Sequence, residues 1–114
     1  MLTLTLNFTK LNLYALRMPS NPKHGICCLC KRETDLTFHH LIPRKVHRRA
    51  YFKKNFTKEE LNVGIDVCRQ CHRVIHKSYS EMELAKNFNS LEAITEDSLL
   101  ANQFEWISKQ RIKA

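Results

Sequence analysis

The sequence lacks any apolar run of the roughly 18 residues that a membrane-spanning helix needs, so it predicts a protein without a membrane span. It also lacks the charged start, apolar centre and small-residue cleavage site of a secretory signal. No internal repeat, low-complexity tract or linker interrupts its 114 residues. We therefore expect one soluble domain in a reducing cytoplasm.

Acidic residues are scarce relative to basic ones, because 11 Asp and Glu stand against 19 Lys and Arg and give a formal net charge of +8. This balance favours a polyanion such as nucleic acid, whose phosphates bind cationic side chains. The other interpretation is a solvated basic surface without a partner. The densest basic run supplies four candidate phosphate contacts, Arg44, Lys45, Arg48 and Arg49. If this run is helical, Lys45, Arg48 and Arg49 share one face with residue 52.

The first 22 residues are interpreted as an N-terminal extension to a single domain over residues 23–114. Leu2, Leu4, Leu6 and Phe8 alternate with polar residues, which is the period of a half-buried strand. Met18 precedes a loop-like Pro-Ser-Asn-Pro. The alternative is therefore that translation starts at Met18 and that the extension is dispensable.

The five cysteines occur at spacings that indicate a metal site. Cys27 with Cys30, and Cys68 with Cys71, each have the C-x-x-C spacing that brings two thiolates to one tetrahedral ion. Four thiolates close the coordination of zinc, so this zinc is expected to be structural. The alternatives are a chance pairing or a redox motif. Cys28 is the spare thiol and is expected to pack in the interior.

Four histidines form a second constellation. His39 and His40 lie in a β-rich segment, where neighbouring side chains point to opposite faces, so they are expected to have different roles. His72 and His76 lie one turn apart in a helix predicted over residues 69–79, so both rings can ligate one ion. Three imidazoles around a divalent ion, with a fourth that accepts a proton from water, form a hydrolase arrangement.

Local signals predict the remaining elements. Thr57 begins a capping box and a short helix that ends near Asn62. A strand follows over residues 63–67, in which Gly64 indicates a bulge or a close backbone approach.

The C-terminal third is predicted to be a helical scaffold. Ser80 opens a second capping box, and Ser90 or Thr95 starts further turns. The apolar face of the last helix is formed by Leu100, Phe104 and Ile107, with Arg111 at the same spacing. Trp106, beside this stripe, is expected to pack rather than to stack on bases.

The order C-x-x-C, then FHHLIPRK, then CRQCHRVIH resembles the HNH nuclease family, in the subgroup with a four-cysteine zinc site. The resemblance covers about residues 26–78, and ELAKNFNSLEAI and FEWISKQR resemble the C-terminal region of small stand-alone bacterial members. It implies an α+β fold with a ββα-metal, treble-clef-like core, zinc-stapled C-x-x-C pairs and a helical C-terminal region. It also implies a metal-dependent DNA endonuclease that hydrolyses phosphodiester bonds.

The resemblance implies a role for each histidine. His40 matches the general base that activates water, and His39 takes a ligand position where many members have Asp. His72 and His76 match the other ligands of a single divalent ion, which is Mg²⁺, Mn²⁺, Ni²⁺ or Zn²⁺. This ion stabilises charge on the scissile phosphate and the leaving 3′ oxygen. A neutral His39 in place of Asp favours transition metals.

One position departs from the family pattern. The asparagine that orients the general base corresponds to Val63 here, and Asn62 fills the role if Gly64 marks a bulge. Otherwise a backbone carbonyl or Asp66 orients His40. DNA is the expected partner and RNA the alternative. The alternative functions are a non-catalytic zinc-stabilised module that binds nucleic acid and a zinc domain for protein contacts.

Overall fold

The computed structural model describes residues 16–17 and 23–112, in which four strands form an antiparallel sheet in the order β1-β4-β3-β2. The strands are β1 (Leu16–Arg17), β2 (His24–Ile26), β3 (Glu33–His40) and β4 (Gly64–Cys68). The predicted strand around the histidine pair is confirmed, although it begins earlier, at Glu33, and ends at His40. The alternation predicted at residues 2–8 lies outside the described residues.

The β3–β4 ladder has a continuous register that pairs Leu36 with Cys68 at one end and His40 with Gly64 at the other. A Cβ atom on Gly64 would lie 2.3 Å from the His39 carbonyl oxygen and 2.5 Å from Phe38 Cζ. Of the two expectations for this glycine, the close approach is therefore confirmed. The bulge is wrong, because the ladder stays in register through Gly64.

The described part also contains a 3-10 turn and six α-helices. They are the turn Arg44–Val46, α1 (Ala50–Asn55), α2 (Lys58–Leu61), α3 (Arg69–Ser78), α4 (Glu81–Asn87), α5 (Leu91–Glu96) and α6 (Ser98–Ser108). Both predicted capping boxes form, at Thr57 and at Ser80. Ser90 caps α5, whereas α6 is capped by Asp97 rather than started by Thr95, because the Asp97 carboxylate accepts from the backbone N–H of Leu100.

The basic run does not form one helix, so the predicted shared face of Lys45, Arg48, Arg49 and residue 52 is wrong. The 3-10 turn ends at Val46, and Arg49 adopts an extended conformation as the N-cap of α1. This break lets Val46 and Phe52 both pack into a small apolar cluster with Ile42, Leu61 and Ala85. The cationic side chains remain exposed on either side of the break.

The main core lies between the sheet and the C-terminal helices. Its buried members include Ile65 and Val67 of β4, Ile75 of α3, and the predicted stripe Leu100, Phe104 and Ile107 of α6. Arg111 lies beyond the end of α6 and is exposed. The expectation that Trp106 packs is wrong: 59% of this residue is exposed, because it points away from the buried face of α6.

The result is a small α+β fold in which α3 follows directly after β4 and packs on β3 and β4. Among the helices of the described residues, none combines the length and apolar composition that a membrane crossing requires.

Candidate metal centres and their surroundings

Four cysteines meet where the β2–β3 turn faces the start of α3. Their sulfur atoms all lie within 4.8 Å of one another, and all four residues are buried. Backbone N–H groups of Leu29 and Cys30 point to Cys27 Sγ at 3.4 Å. The second pair repeats the pattern, because Cys71 N donates to Cys68 Sγ at 3.4 Å. The predicted convergence of the two C-x-x-C pairs is confirmed.

The chemistry of this cluster fits a tetrahedral metal ion. Cys30 Sγ and Cys68 Sγ are 3.7 Å apart, far beyond the roughly 2.05 Å of a disulfide bond. Hydrogen bonds from the Cys27 and Cys71 thiols lower the pKa of Cys68. Hydrogen bonds with Cys27 and Cys68 raise the pKa of Cys71. Without a cation the four sulfurs must share protons, whereas zinc accepts all four as thiolates. The chain therefore contains a possible zinc site.

Cys28 lies outside this cluster, as expected. It is half-buried and packs against the main core, so it occupies the edge rather than the centre of the interior. Burial raises the pKa of its thiol to about 12, which keeps the thiol protonated at neutral pH. Its backbone N–H donates to the carbonyl oxygen of Asp66 on β4.

Three histidines meet on the sheet face that α3 covers. The ring centroid of His39, from β3, lies 5.1 Å from that of His72 and 5.3 Å from that of His76, which both project from α3. The His72 and His76 rings are 4.9 Å apart. One nitrogen from each ring lies within 4.8 Å of the other two. The structure thus brings together the three residues predicted as ligands.

His39 has the environment of a ligand rather than of an ordinary core residue. It is 0% exposed, and neither ring nitrogen has a hydrogen-bond partner among the described residues. A buried polar group left unpaired costs roughly 1–3 kcal/mol. Burial, followed by the charges of His72 and His76, lowers the pKa of His39 to about 3. The neutral imidazole that remains at pH 7 is the form that binds metal, and three imidazoles suit transition metals better than Mg²⁺.

A hydroxyl group orients His72. Thr37 Oγ1 donates to the carbonyl oxygen of Val67 at 3.0 Å and lies 2.9 Å from His72 Nδ1. Because the single hydroxyl hydrogen is used on Val67, Oγ1 can only accept from His72, so the proton of the ring is on Nδ1. The lone pair on His72 Nε2 is then available to a metal ion. Thr37 was not among the predicted site residues, and its signal in the sequence is its position two residues before His39 on the same strand face.

His40 lies on the opposite face of β3, as the alternation of a strand requires. Its ring contacts Phe38, with ring centroids 4.9 Å apart, and approaches His47, with ring centroids 5.7 Å apart. The Nε2 atom of His40 is buried and has no hydrogen-bond partner within the described residues. The structure therefore does not include His40 in the ligand cluster. A charge on His40 nevertheless lowers the pKa of His39.

Asn62 reaches His40 without a bulge. Burial lowers the pKa of His40, as do the charges of His47 and Arg44, whereas a polar contact from the Asn62 side chain raises it. The Asn62 amide nitrogen donates to the Lys58 carbonyl oxygen at 3.1 Å, which anchors the side chain at the end of α2.

Asp66 shares the sheet face of His40, but it lines a different depression, beside His24 and Cys28. It is not among the residues that shift the pKa of His40 in the described part.

Two arginines at the histidine cluster were missed. Arg69, His72, Arg73 and His76 line a shallow depression of about 230 Å³ on α3. These positions follow the i, i+3, i+4, i+7 pattern of one helix face, so the sequence contained the signal. Both arginines are exposed, and no acidic residue lines the depression. The mouth of the cluster is therefore cationic.

The predicted phosphate-binding residues of the basic run are all exposed. Lys45 pairs with Glu81 at 3.3 Å, and the charges of both residues act on the pKa of His76, which burial lowers. Arg44 lies close enough to lower the pKa of His40. Arg49 instead lines a larger cavity of about 570 Å³ between α1 and α4, which contains none of the clustered histidines or cysteines.

Comparison with known proteins identifies a relative of this chain but does not indicate the function of the chain. No protein-family model matches the sequence, and no solved structure matches it significantly. The chain is 36% identical over 90 residues to the uncharacterized protein YisB of Bacillus subtilis (strain 168), and the alignment covers 75% of this chain and 76% of YisB. Fold and site define a small α+β protein with a four-cysteine cluster that could bind metal. The chain belongs to the family of YisB.

Proposed function

We propose that the protein is a metal-dependent DNA endonuclease of the HNH type, with a structural zinc at the cysteines and a divalent ion at the histidines. The observation that carries this proposal is the convergence of His39, His72 and His76, with both ring nitrogens of the fully buried His39 left unpaired. A structural core would pair or exclude such a group, because leaving it unpaired costs free energy. A metal ion accounts for all three rings.

The arrangement of elements supports a ββα-metal core for this site. The antiparallel strands β3 and β4 lead into α3, and the ligands come from the second half of β3 and from one face of α3. The cysteine cluster holds the first turn of α3, because Cys68 is both its N-cap and a cluster sulfur. In this proposal the first metal fixes the helix that presents two ligands to the second.

The residues around the histidine cluster have separate roles in the proposed hydrolysis of a phosphodiester bond. When bound, a divalent ion at the three imidazoles supplies a Lewis acid that stabilises charge on the phosphate and on the leaving 3′ oxygen. Arg69 and Arg73 bind the non-bridging oxygens of the same phosphate, because both lie at the mouth of the cluster.

His40 accepts the proton of the attacking water as the new P–O bond forms and the bond to the 3′ oxygen breaks. Its lowered pKa keeps it neutral, and so able to accept a proton, at pH 7. Asn62 contacts its ring and limits its rotation.

Plasmid nicking tests the proposal. Protein that keeps zinc at the cysteines but has no ion at the histidines is given Mg²⁺, Mn²⁺, Ni²⁺ or Zn²⁺ in turn, and conversion of supercoiled plasmid to open circle is measured. His39→Ala and His72→Ala are expected to abolish nicking, and His40→Ala to reduce it about 10²- to 10⁴-fold. The control is His24→Ala, which removes an exposed histidine of β2 that pairs with Asp35. Full activity of His40→Ala would exclude His40 as the general base. Full activity of His39→Ala would exclude a mechanism that depends on metal at the histidines.

The second candidate function is a non-catalytic zinc module that binds nucleic acid. The observation that favours it is the position of His40 on the opposite sheet face from the three clustered rings. This function predicts one bound metal per chain and salt-dependent binding without cleavage. Metal analysis that finds two ions per chain, together with nicking, would exclude it.

A further inference from the structure

Arg32 contacts both halves of the cysteine cluster. Its Nε–H donates to Cys30 Sγ at 3.3 Å, and its Nη2 donates to Cys68 Sγ at 3.4 Å. Cys30 belongs to the first C-x-x-C pair and Cys68 to the second. One planar guanidinium group thus joins sulfurs that come from distant parts of the chain.

The same guanidinium group holds two further segments. Nη2 donates to Gln70 Oε1 at 2.6 Å, in the first turn of α3. Nη1 donates to the carbonyl oxygen of Gln110 at 3.3 Å, in the segment that follows α6. The backbone of Arg32 is itself fixed, because its carbonyl oxygen accepts from Cys27 N at 2.9 Å. The side chain therefore links the cysteine cluster to the C-terminal end of the described chain.

The strength of this link is expected to depend on bound metal, because the charge of the cysteine centre does. Four thiolates around one Zn²⁺ carry a net charge of about −2, which a neighbouring cation partly offsets. N–H···S hydrogen bonds stabilise thiolates, and partners that hydrogen-bond metal ligands commonly change metal affinity. A guanidinium group donates along several directions in one plane, whereas a lysine ammonium cannot reproduce that fork.

We propose that Arg32 is a positioning residue of the cysteine centre, which stabilises the metal-bound sulfurs of Cys30 and Cys68 and ties the segment after α6 to them. The inference depends on metal binding by the cysteines and not on nuclease activity. Its consequence is that bound metal strengthens the attachment of the C-terminal segment, since zinc holds all four sulfurs as thiolates, whereas without the ion the sulfurs share protons.

Zinc competition with a chelator, measured on the full chain, tests the role of Arg32. Arg32→Gln removes the charge and the fork and is expected to weaken zinc binding about 10- to 100-fold. Arg32→Lys keeps the charge but not the fork, and its zinc affinity is expected to lie between those of the wild type and Arg32→Gln. The matched control is Lys31→Gln, which removes the neighbouring cation, whose Nζ donates to the carbonyl oxygen of Cys28 rather than to a sulfur. Zinc affinity in Arg32→Gln equal to that of the control overturns the proposal.

A measurement on the wild-type protein covers the case in which Arg32→Gln does not fold. In the zinc-loaded protein, the side-chain Nε–H of Arg32 is expected to exchange with solvent at least 10-fold more slowly than that of the exposed Arg73. Equal exchange of the two Nε–H groups overturns the hydrogen bond to Cys30. For a folded Arg32→Gln variant, hydrogen exchange at residues 109–112 is expected to rise in zinc-loaded protein, and unchanged exchange there overturns the link to the C-terminal segment.

Discussion

Thr37 Oγ1 lies 2.9 Å from His72 Nδ1 while it donates its own hydrogen to the Val67 carbonyl oxygen. The neighbouring strand therefore fixes the tautomer of a candidate metal ligand on the helix. A hydroxyl group that already donates can offer His72 only a lone pair, which leaves His72 Nε2 free to bind metal.

Thr37→Val tests this relationship, because it preserves the shape of the side chain and removes the oxygen. We expect the affinity of the histidine site for Ni²⁺ or Co²⁺ to fall about 10- to 100-fold, as for other residues that orient metal ligands. Titration calorimetry on protein already loaded with zinc at the cysteines measures this change. Thr37→Ser restores the oxygen and should recover most of the affinity. A Thr37→Val variant with wild-type affinity would show that the hydroxyl group does not orient the ligand.

The burial of His39 predicts a dependence of stability on pH. The pKa of His39 is about 3 in the folded chain, and a histidine in an unfolded chain titrates near 6.5. Around pH 5 the unfolded chain therefore binds about one more proton at this residue. The free energy of unfolding then falls by about 1.4 kcal/mol for each unit of decreasing pH, and this loss begins below about pH 6.5.

His39→Leu isolates that contribution, because leucine fills the site without a titrating group. In protein whose histidine site is kept free of metal, urea unfolding at pH 5 and pH 6 should show a slope smaller by about 1.2 kcal/mol per pH unit than in the wild type. The variant should be at least as stable as the wild type at pH 5, since it removes two unpaired buried nitrogens. Identical slopes in both proteins would contradict the buried, neutral state of His39.

Gly64 predicts a large effect of one added methyl group. The new Cβ of Gly64→Ala would meet the His39 carbonyl oxygen at 2.3 Å, and a backbone atom cannot rotate away. The β3–β4 ladder would have to separate beside His39, at a cost of about 1–3 kcal/mol or more. The matched control is Gly25→Ala, whose Cβ would meet only the end of the Leu36 side chain, at 3.2 Å. Urea denaturation that finds equal stability changes in the two variants would refute the close approach.

If the protein binds DNA, as we propose, the exposed arginines of α3 contribute to its affinity for DNA. Arg69→Gln and Arg73→Gln should each weaken binding similarly for all DNA sequences and reduce the dependence of binding on salt by about one phosphate contact. Lys77→Gln is the control, since Lys77 is exposed on α3 but does not line the depression at the histidines. Fluorescence anisotropy at several salt concentrations measures both quantities. If Lys77→Gln weakened DNA binding by the same amount, proximity to the histidine cluster would not determine how much a cation of α3 contributes to binding.

The elements and sites that could be predicted from sequence are those that local spacing determines. The C-x-x-C pairs, the one-turn spacing of His72 and His76, and the two capping boxes each depend on residues a few positions apart. Their meeting in space depends on the register of β3 and β4, which the motif order suggested but did not specify.

What the sequence left unpredicted depends on contacts between distant segments. The partners of Thr37 and of Arg32 lie in strands and helices far along the chain, so no local pattern identifies them. The break at Arg49 arises because Val46 and Phe52 must both reach one apolar cluster. Trp106 is exposed, contrary to the prediction, because an aromatic residue beside an apolar stripe need not lie within it.

Cys71 and His72 are consecutive residues in the same turn of α3, one in each candidate metal centre. If both centres bind metal, as we propose, an ion that orders this turn for one site also prepares it for the other. Thermodynamic linkage would make this effect reciprocal, because an ion at either site would change the affinity of the other site by the same factor. The proposed function therefore predicts that the two centres bind their ions cooperatively.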